Sequence, residues 1–179
     1  MAIEKARAYL KEYQLDSEIM EFDVSSATVC EAAIAIGCKE DEIAKSISFD
    51  VNGTPILVVA SGKGKIDNSK FKQEFHTKAK MLPFEQVEAL IGHAVGGVCP
   101  FGVCEGVKIY LDISLKQFDE VYPACGSSNS AIKLTINQLE SIIKFEKWVD
   151  VCKSAECLTG VKRTSFGTDK KPVFGVKIF

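Results

Sequence analysis

Apolar residues recur at helical spacing in several separate segments of the chain. The clearest is segment 2–14, where Ile3, Ala6, Leu10 and Tyr13 fall on one stripe of an amphipathic helix. Further helices are predicted at 29–36, over about ten residues after Asp67, at 83–90, and from 136 to about 148.

Local signals mark the ends of some of these helices. Thr28 with Glu31 and Thr135 with Gln138 form capping boxes, in which each partner satisfies a free backbone N–H. Gly37 can adopt the left-handed conformation that ends a helix. The first box therefore predicts a short helix that stops at Gly37, and the second predicts a helix entered from a strand.

Alternating and β-branched runs predict the strands. Ala44–Val51 and Pro55–Ala60 flank Asn52-Gly53, a pair typical of a two-residue hairpin turn. Shorter candidate strands lie at 18–22, 107–113, 120–123 and 131–134. Because a tight hairpin joins antiparallel strands, a purely parallel doubly wound sheet is disfavoured. The order of elements predicts an α+β fold with a mixed sheet.

The length of 179 residues is enough to bury one core. We predict a single domain over 1–150. The remaining residues, 151–179, show no helical stripe and are predicted to be a C-terminal extension, either an added strand or a flexible arm.

Composition is that of an ordinary globular protein, with 46% hydrophobic and 26% charged residues and a net charge of -2. These values argue against disorder and exclude a uniformly basic nucleic-acid coat. The first fourteen residues are too charged for a signal-peptide core, and the longest aliphatic run, 56–60, is far too short to cross a bilayer. Seven cysteines, an odd count, suit a reducing compartment, so we expect a cytoplasmic protein without membrane contact.

The charge is unevenly distributed along the chain. Segments 61–80 and 151–179 each sum to +4, so the remainder carries -10. Two interpretations stay open: solvated surfaces, which charge runs usually are, or a lysine-rich flank for a polyanion.

Most enzyme motifs are missing. The sequence contains no Walker loop, and Gly62-Lys63-Gly64 lacks the third glycine of a dinucleotide fingerprint. With only His76 and His93 and no paired cysteine spacing of the zinc type, no metal and no cofactor are expected. Cys99 could pair in space with His93 as a nucleophilic thiol, although an inert buried cysteine is the more common arrangement.

Two features are unusual enough to suggest chemistry. Segment 92–102 contains four glycines and a proline, so its backbone can aim several N–H groups at an oxygen, or it can simply be a tight turn. Lys45 begins an apolar strand and shares its face with Ile43 and Ile47. An inward lysine is costly unless it meets an anion, but a lysine just before a strand can also reach water.

These two features belong to a series of segments by which the chain resembles the YbaK/EbsC family of aminoacyl-tRNA deacylases, relatives of the editing domain of bacterial prolyl-tRNA synthetases. The matching segments, in the family's order, are 28–33, 43–49, 55–62, 96–102, 107–112, 124–127 and 132–134. The resemblance covers about residues 20–145, and its most specific parts are the strand that carries Lys45 and the Gly-x-x-x-Pro loop Gly96–Pro100.

The resemblance implies a curved, barrel-like mixed sheet surrounded by helices, and hydrolysis of the ester that joins a wrong amino acid to tRNA. In such a deacylase Lys45, Gly96, Gly97 and Val98 would be catalytic, and the substrate's own ribose hydroxyl would help to activate water. The expected substrate contacts are Thr28, Ser46, Cys99, Pro100, Phe101, Gly102, Gly126, Ser127 and Asn129. The expected tRNA contacts are Lys63, Lys65, Lys70 and Lys72.

The leading hypothesis is thus a free-standing trans-editing deacylase acting on tRNA-Pro that carries a small non-cognate amino acid such as Cys or Ala. Its expected partners are the acceptor end of tRNA and prolyl-tRNA synthetase. Two alternatives stay open: a noncatalytic tRNA- or nucleotide-binding module, suggested by the lysines of 61–80, and a thiol-dependent enzyme at Cys99.

Overall fold

A computed structural model of the chain describes residues 2–153, in which five α-helices surround a curved, mixed six-stranded sheet shaped like half a barrel. The helices are α1 (Ala2–Lys11), α2 (Val29–Ile36), α3 (Asn68–Phe75), α4 (Phe84–Ile91) and α5 (Ile136–Ile142). The strands are β1 (Met20–Glu21), β2 (Ile43–Val51), β3 (Thr54–Ser61), β4 (Lys108–Asp112), β5 (Glu120–Pro123), β6 (Ser130–Ala131), β7 (Leu134–Thr135) and β8 (Lys147–Val149). The sheet order is β7-β5-β2-β3-β4-β8, and β1 pairs with β6 separately. The predicted fold class is confirmed.

The hairpin of β2 and β3 forms the centre of the sheet. It pairs from Val51 opposite Thr54 to Ala44 opposite Ser61. Asn52 and Gly53 both have positive φ, 53° and 83°, which is the backbone of a type I′ turn. β4 then joins β3 in parallel, so the sheet is mixed as the sequence predicts.

Alternation along β3 divides the core between the two faces of the sheet. Leu57 and Val59 belong to the main cluster, which α1, α4 and α5 cover. Ile56 and Val58 belong to a second cluster, which contains Phe71 of α3. Because successive side chains of a strand point to opposite faces, a continuous apolar strand is what a sheet buried on both faces requires.

Helix starts follow the sequence signals closely, but α1, α3 and α5 are shorter than predicted, α5 by the most. Both capping boxes form, and Gly37 ends α2 with φ 79°. α5 stops at Ile142 instead of reaching Trp148, because residues 147–149 pair in parallel with β4 as the edge strand β8. The indole Nε1 of Trp148 donates to Glu140 Oε1 at 2.6 Å, which ties the new strand back to α5.

The short elements are shorter than expected. The strand predicted at 131–134 is divided into β6 and β7, and the one predicted at 18–22 is reduced to β1. The predicted extension begins as part of the packed structure, since Val151 and Cys152 are buried. Residues 154–179, with most of the second basic segment, lie outside the described residues. No helix within 2–153 has the length and apolar character needed to cross a membrane.

Candidate active site

A cavity of about 340 Å³ opens beside the first half of β2. Its wall is built from residues of segments 26–32, 43–48, 81–87, 95–98, 122–124 and 130–131. Most of these side chains are small or aliphatic. Among the lining side chains of residues 2–153, Lys45 is the only charged one. The cavity therefore suits a small, largely apolar group, and its lining includes one lysine.

The cavity lies where one edge of β2 has no neighbouring strand. β5 pairs only with Ile43 and Ala44, and further along this edge the Leu82 N–H donates to the Ser48 carbonyl at 3.1 Å. Since alternate residues of a strand present their backbone groups to the same edge, the N–H and C=O of Ser46 face the open stretch. The Ser46 hydroxyl is buried and has no partner within residues 2–153. This is a polar position ready for a ligand.

The Lys45 ammonium is held by a neighbouring loop. Its Nζ donates to the Gly62 carbonyl at 2.9 Å and also to the Gly64 carbonyl. Burial lowers the pKa of Lys45. The side chain follows the apolar face of β2 that also carries Ile47 and Phe49, as alternation predicts. The sequence left open whether an anion or water meets this ammonium, and in the structure two carbonyl oxygens satisfy two of its three donors.

The loop that holds Lys45 is itself braced from behind. The buried Asp112 carboxylate accepts from the backbone N–H groups of Ser114, Val151 and Cys152 at 2.9, 2.8 and 3.2 Å. The Lys153 N–H then donates to the Lys65 carbonyl at 2.8 Å, directly after the Gly62–Gly64 turn. Residues beyond 150 therefore help to fix the Lys45 acceptors.

Replacing Asp112 by alanine should lower the free energy of unfolding by about 2 kcal/mol, because two buried N–H groups and one partly buried N–H group would lose their acceptor. Urea denaturation of the wild type, Asp112→Ala and Asp112→Asn measures this. The asparagine keeps one carbonyl oxygen and should fall between the other two. A loss below about 0.5 kcal/mol in Asp112→Ala, the range of ordinary surface changes, would contradict the brace.

The Gly96–Pro100 loop forms the wall opposite β2. Gly96, with φ 94°, and Val98 line the cavity, and their N–H groups have no acceptor among the described residues. Gly97 does not line the cavity. A Cβ on Gly97 would lie 2.7 Å from the Gly126 carbonyl carbon and from the Ser127 nitrogen. Absence of a side chain at Gly97 thus lets two loops touch, and their contact positions the free N–H groups.

Cys99 and Phe101 are correctly predicted to belong to this loop, but neither reaches the cavity. Both are fully buried in the main core cluster. The Cys99 Sγ lies 3.5 Å from His93 Nε2, as the thiol hypothesis requires. However, Nε2 is 2.7 Å from the Phe101 carbonyl and must carry its proton to donate there. Burial raises the pKa of Cys99 to about 12.

The neighbouring residues of the loop are also supporting ones. Pro100 is buried and does not line the cavity. A Cβ on Gly102 would lie 2.8 Å from the Lys5 carbonyl oxygen, so Gly102 permits contact with α1. Residues 99–102 thus lie outside the lining of this cavity, and their contact with a substrate stays a prediction. A sequence motif marks the whole loop, whereas only alternate residues of its first half face outward.

Most of the loop at 125–130 likewise lies outside the cavity lining. Gly126, Ser127 and Asn129 are absent from the lining, although Ser130 is part of it. The Ser127 hydroxyl donates to Asn129 Oδ1 at 2.9 Å, and Asn129 Nδ2 donates to the Phe22 carbonyl at 2.9 Å. These residues fix the peptide on which Gly97 rests instead of lining the cavity as expected.

Of the other predicted contacts, Thr28 and Ser46 line the cavity. The four lysines predicted to contact tRNA lie in two places, the turn that binds Lys45 and helix α3. Lys63 belongs to the turn that holds Lys45 and lies 3.8 Å from Asp41, and Lys65 is exposed just after it. Lys70 pairs with Asp150 at 2.7 Å, beside the edge strand β8, and Lys72 is exposed on the same helix. Segment 61–80 thus contacts the Lys45 side chain through its first turn, whereas its α3 lysine Lys70 is paired beside β8.

Sequence reasoning missed the outer wall, which includes Met81, Phe84, Val95 and Tyr122. Met81 and Phe84 lie just before and at the start of α4, Val95 follows that helix and Tyr122 lies in β5, so no single sequence pattern joins them. Met81 forms a bridge with Phe49 of β2, a contact between distant parts of the chain that no local pattern announces.

Comparison with known proteins points to one family. The family model for the aminoacyl-tRNA editing domain matches residues 24–142, which include every residue that lines the cavity. The uncharacterized protein YwhH of Bacillus subtilis is 46% identical over 157 residues, 87% of this chain and 100% of that protein. EbsC of Enterococcus faecalis, named as a candidate Cys-tRNA(Pro)/Cys-tRNA(Cys) deacylase, is 25% identical over 142 residues, 78% of this chain and 84% of EbsC. The crystal structure of a candidate trans-editing enzyme for prolyl-tRNA synthetase has a TM-score of 0.76 at 26% identity and covers 86% of this chain and 98% of its own.

Proposed function

Since the chain belongs to the aminoacyl-tRNA editing domain family, we propose that it is a trans-editing deacylase, which hydrolyses the ester between a small non-cognate amino acid and tRNA-Pro. The observation that carries the proposal is the cavity itself. Lys45 and the free N–H groups of Gly96 and Val98 lie in the wall of one small apolar space. Cys and Ala are the amino acids that we expect to be released.

The reaction needs a water molecule, a stabilised oxyanion and a proton acceptor. Water attacks the ester carbonyl, the bond from carbonyl carbon to ribose oxygen breaks, and a proton passes to that oxygen. The N–H groups of Gly96 and Val98 would donate to the oxyanion as it forms, which is the largest single contribution in many acyl-transfer enzymes. The cavity wall has no carboxylate or imidazole within residues 2–153. We therefore assign activation of the water to the neighbouring hydroxyl of the substrate's ribose.

Lys45 would position the end of the tRNA. Two of its three donors are satisfied by carbonyl groups, so the ammonium has one fixed direction in which to meet a ribose or phosphate oxygen. Lys63 and Lys65, on and after the same turn, would extend the positive charge toward the acceptor stem, and Lys70 and Lys72 would act further out. Prolyl-tRNA synthetase, which supplies mischarged tRNA-Pro, is the partner that we propose.

The amino-acid portion would lie against Ala44, Ser46 and Val98. One methylene changes discrimination in a hydrophobic pocket by only about 1–3 kcal/mol, so a small residue such as Ala and a somewhat larger one such as Cys can both be substrates. The test is release of amino acid from tRNA-Pro charged with Cys, Ala or Pro, and from tRNA-Cys charged with Cys. We expect Cys or Ala to be released from tRNA-Pro faster than Pro. No release from any of these tRNAs would overturn the proposal.

A noncatalytic tRNA-binding module is the second candidate, because the cavity wall supplies no general base from the described protein. Such a module would bind charged and uncharged tRNA equally, in a manner sensitive to salt, without turnover. The release assay separates the two candidates directly.

Replacing Cys99 by alanine should leave deacylation within about threefold of the wild-type rate, because a buried residue away from the reacting atoms acts through packing alone. The raised pKa of the thiol and the proton on His93 Nε2 both argue against a thiolate nucleophile. Single-turnover rates at saturating enzyme measure the effect, with Cys30→Ala, an exposed cysteine, as the control. A Cys99→Ala variant that folds normally but is inactive would restore the thiol-dependent hypothesis.

A further inference from the structure

Exposed apolar side chains gather at the mouth of the cavity. Residues 2–153 expose seven large hydrophobic side chains, and three of them also line the cavity. They are Met81, 65% exposed, Phe84, 74% exposed, and Val95, 47% exposed. Apolar surface collected around an opening is typical of a binding site, whereas single exposed residues elsewhere need no explanation.

We call Met81, Phe84 and Val95 the rim of the cavity, and neighbouring backbone contacts fix the first two of them. Phe84 is the first residue of α4 and follows Pro83, whose ring fixes φ at -56°. Met81 is bridged to Phe49, and the next residue donates its N–H to β2. The phenyl ring of Phe84 therefore stands on two rigid elements with most of its surface in water.

We propose that Phe84 is the platform on which the terminal base of the RNA acceptor end stacks, with Met81 and Val95 at its sides. The proposal rests on the proposed function. If the aminoacyl group fills the cavity, the ribose lies at its mouth and the attached base must leave across the rim. A nucleobase offers a flat π-face and loses little by leaving water when it stacks on an aromatic ring.

Charge around the rim favours RNA over an apolar protein partner. Lys78 and Lys80 are exposed just before Met81, and Lys63 and Lys65 are exposed in and after the turn whose carbonyls bind Lys45. Lys80 pairs with Asp50 at 2.9 Å but keeps 71% of its side chain in solvent. Exposed lysines on the segments that adjoin an aromatic residue suit single-stranded nucleic acid, which places its phosphates on cations and a base on the ring.

The test compares two RNA hairpins that carry no amino acid and share a single-stranded 3′ end. One ends in adenosine and the other in an abasic ribose. Base stacking on an aromatic side chain should make the wild type bind the adenosine-ended RNA about tenfold more tightly than the abasic one. Phe84→Ala should bind the adenosine-ended RNA about tenfold more weakly than the wild type does, and should bind the two RNAs equally. Phe84→Trp should retain it. Ile34→Ala, which removes an equally exposed side chain outside the cavity, should behave as the wild type.

Each contrary result overturns the platform. Equal binding of both RNAs by the wild type does so, and so does a Phe84→Ala variant that still prefers adenosine or that weakens both RNAs equally. Dissociation of a wild-type dimer by Phe84→Ala in sedimentation would show instead that the rim joins two copies of the chain. The assay needs no hydrolysis. If the wild type prefers adenosine but releases no amino acid, the deacylase is refuted and the platform is retained. If Phe84→Ala leaves the release of amino acid unchanged, the deacylase is retained and the platform is refuted.

Discussion

Replacing Lys45 by alanine should lower the rate of amino-acid release by about 100-fold or more, the range seen when one stabilising group is removed from an acyl-transfer site. Lys45 is the only charge in the lining of the cavity within residues 2–153, so no described neighbour in the wall can take over its role. Its ammonium is held by two carbonyls, which makes it a fixed part of the site. Single-turnover release from Cys- or Ala-charged tRNA-Pro measures the loss.

Two further variants separate charge from packing. Lys45→Met keeps the length and apolar stem but removes the charge, and should be as inactive as Lys45→Ala. Lys63→Ala removes a neighbouring exposed lysine, and should weaken tRNA binding while leaving the rate at saturation within about threefold. Urea denaturation of each variant shows whether the fold is retained. A folded Lys45→Met variant with wild-type activity would remove Lys45 from the mechanism.

The pH dependence of the reaction should also report Lys45. Burial lowers the pKa of Lys45 below that of an exposed lysine, so the ammonium loses its proton at a lower pH than an exposed lysine does. Enzymatic release, after subtraction of spontaneous ester hydrolysis, should therefore decline at a lower pH than the ordinary lysine value of about 10.4. A Lys45→Arg variant that retains measurable activity should lack this decline, because a guanidinium stays charged.

Local chemistry in the sequence predicted the parts of the fold that depend on a few neighbouring residues. The capping boxes at Thr28 and Thr135, the turn at Asn52-Gly53 and the left-handed end at Gly37 all lie where the sequence placed them. Each of these structures is decided within four or five residues, so a single sequence contains the whole signal.

Contacts between distant segments could not be predicted in the same way. The sequence predicted a helix up to about Trp148, but residues 147–149 pair with β4 as an edge strand. The brace from Asp112 to Val151 joins residues 39 positions apart. The outer wall of the cavity likewise depends on Met81 meeting Phe49, which no periodicity indicates.

The candidate site shows the same division. A family motif identified Lys45 and the Gly96–Pro100 loop, and both border the cavity. The motif marks residues that are needed, without distinguishing those that touch a ligand from those that hold the loop. Cys99 and Phe101 belong to the second kind, because their side chains fill the core beneath the loop.

Gly97 belongs to that supporting group, and its replacement by alanine should have the second largest effect. The new methyl group would lie 2.7 Å from two backbone atoms of the Gly126–Ser127 peptide. Backbone atoms held by Asn129 and Phe22 cannot turn aside as the end of a side chain could. The two loops must therefore separate, which carries the Gly96 and Val98 N–H groups away from the reacting carbonyl. Displacement of about 1 Å costs a catalytic site about 100-fold in rate, and we expect a loss of that size in Gly97→Ala.

Gly106→Ala is the matched control for this variant. Gly106 has φ 86°, and a methyl group added there would meet no other atom within 4 Å, so alanine is strained without a clash. It should lower the free energy of unfolding by about 1–2 kcal/mol and leave the rate of release unchanged. Gly97→Ala should instead lose rate well beyond its loss of stability, with little change in the affinity for uncharged tRNA, since the lysines around the cavity are untouched. Equal losses of rate in the two variants would mean that Gly97 contributes general stability, and that the contact between the loops does not position the N–H groups.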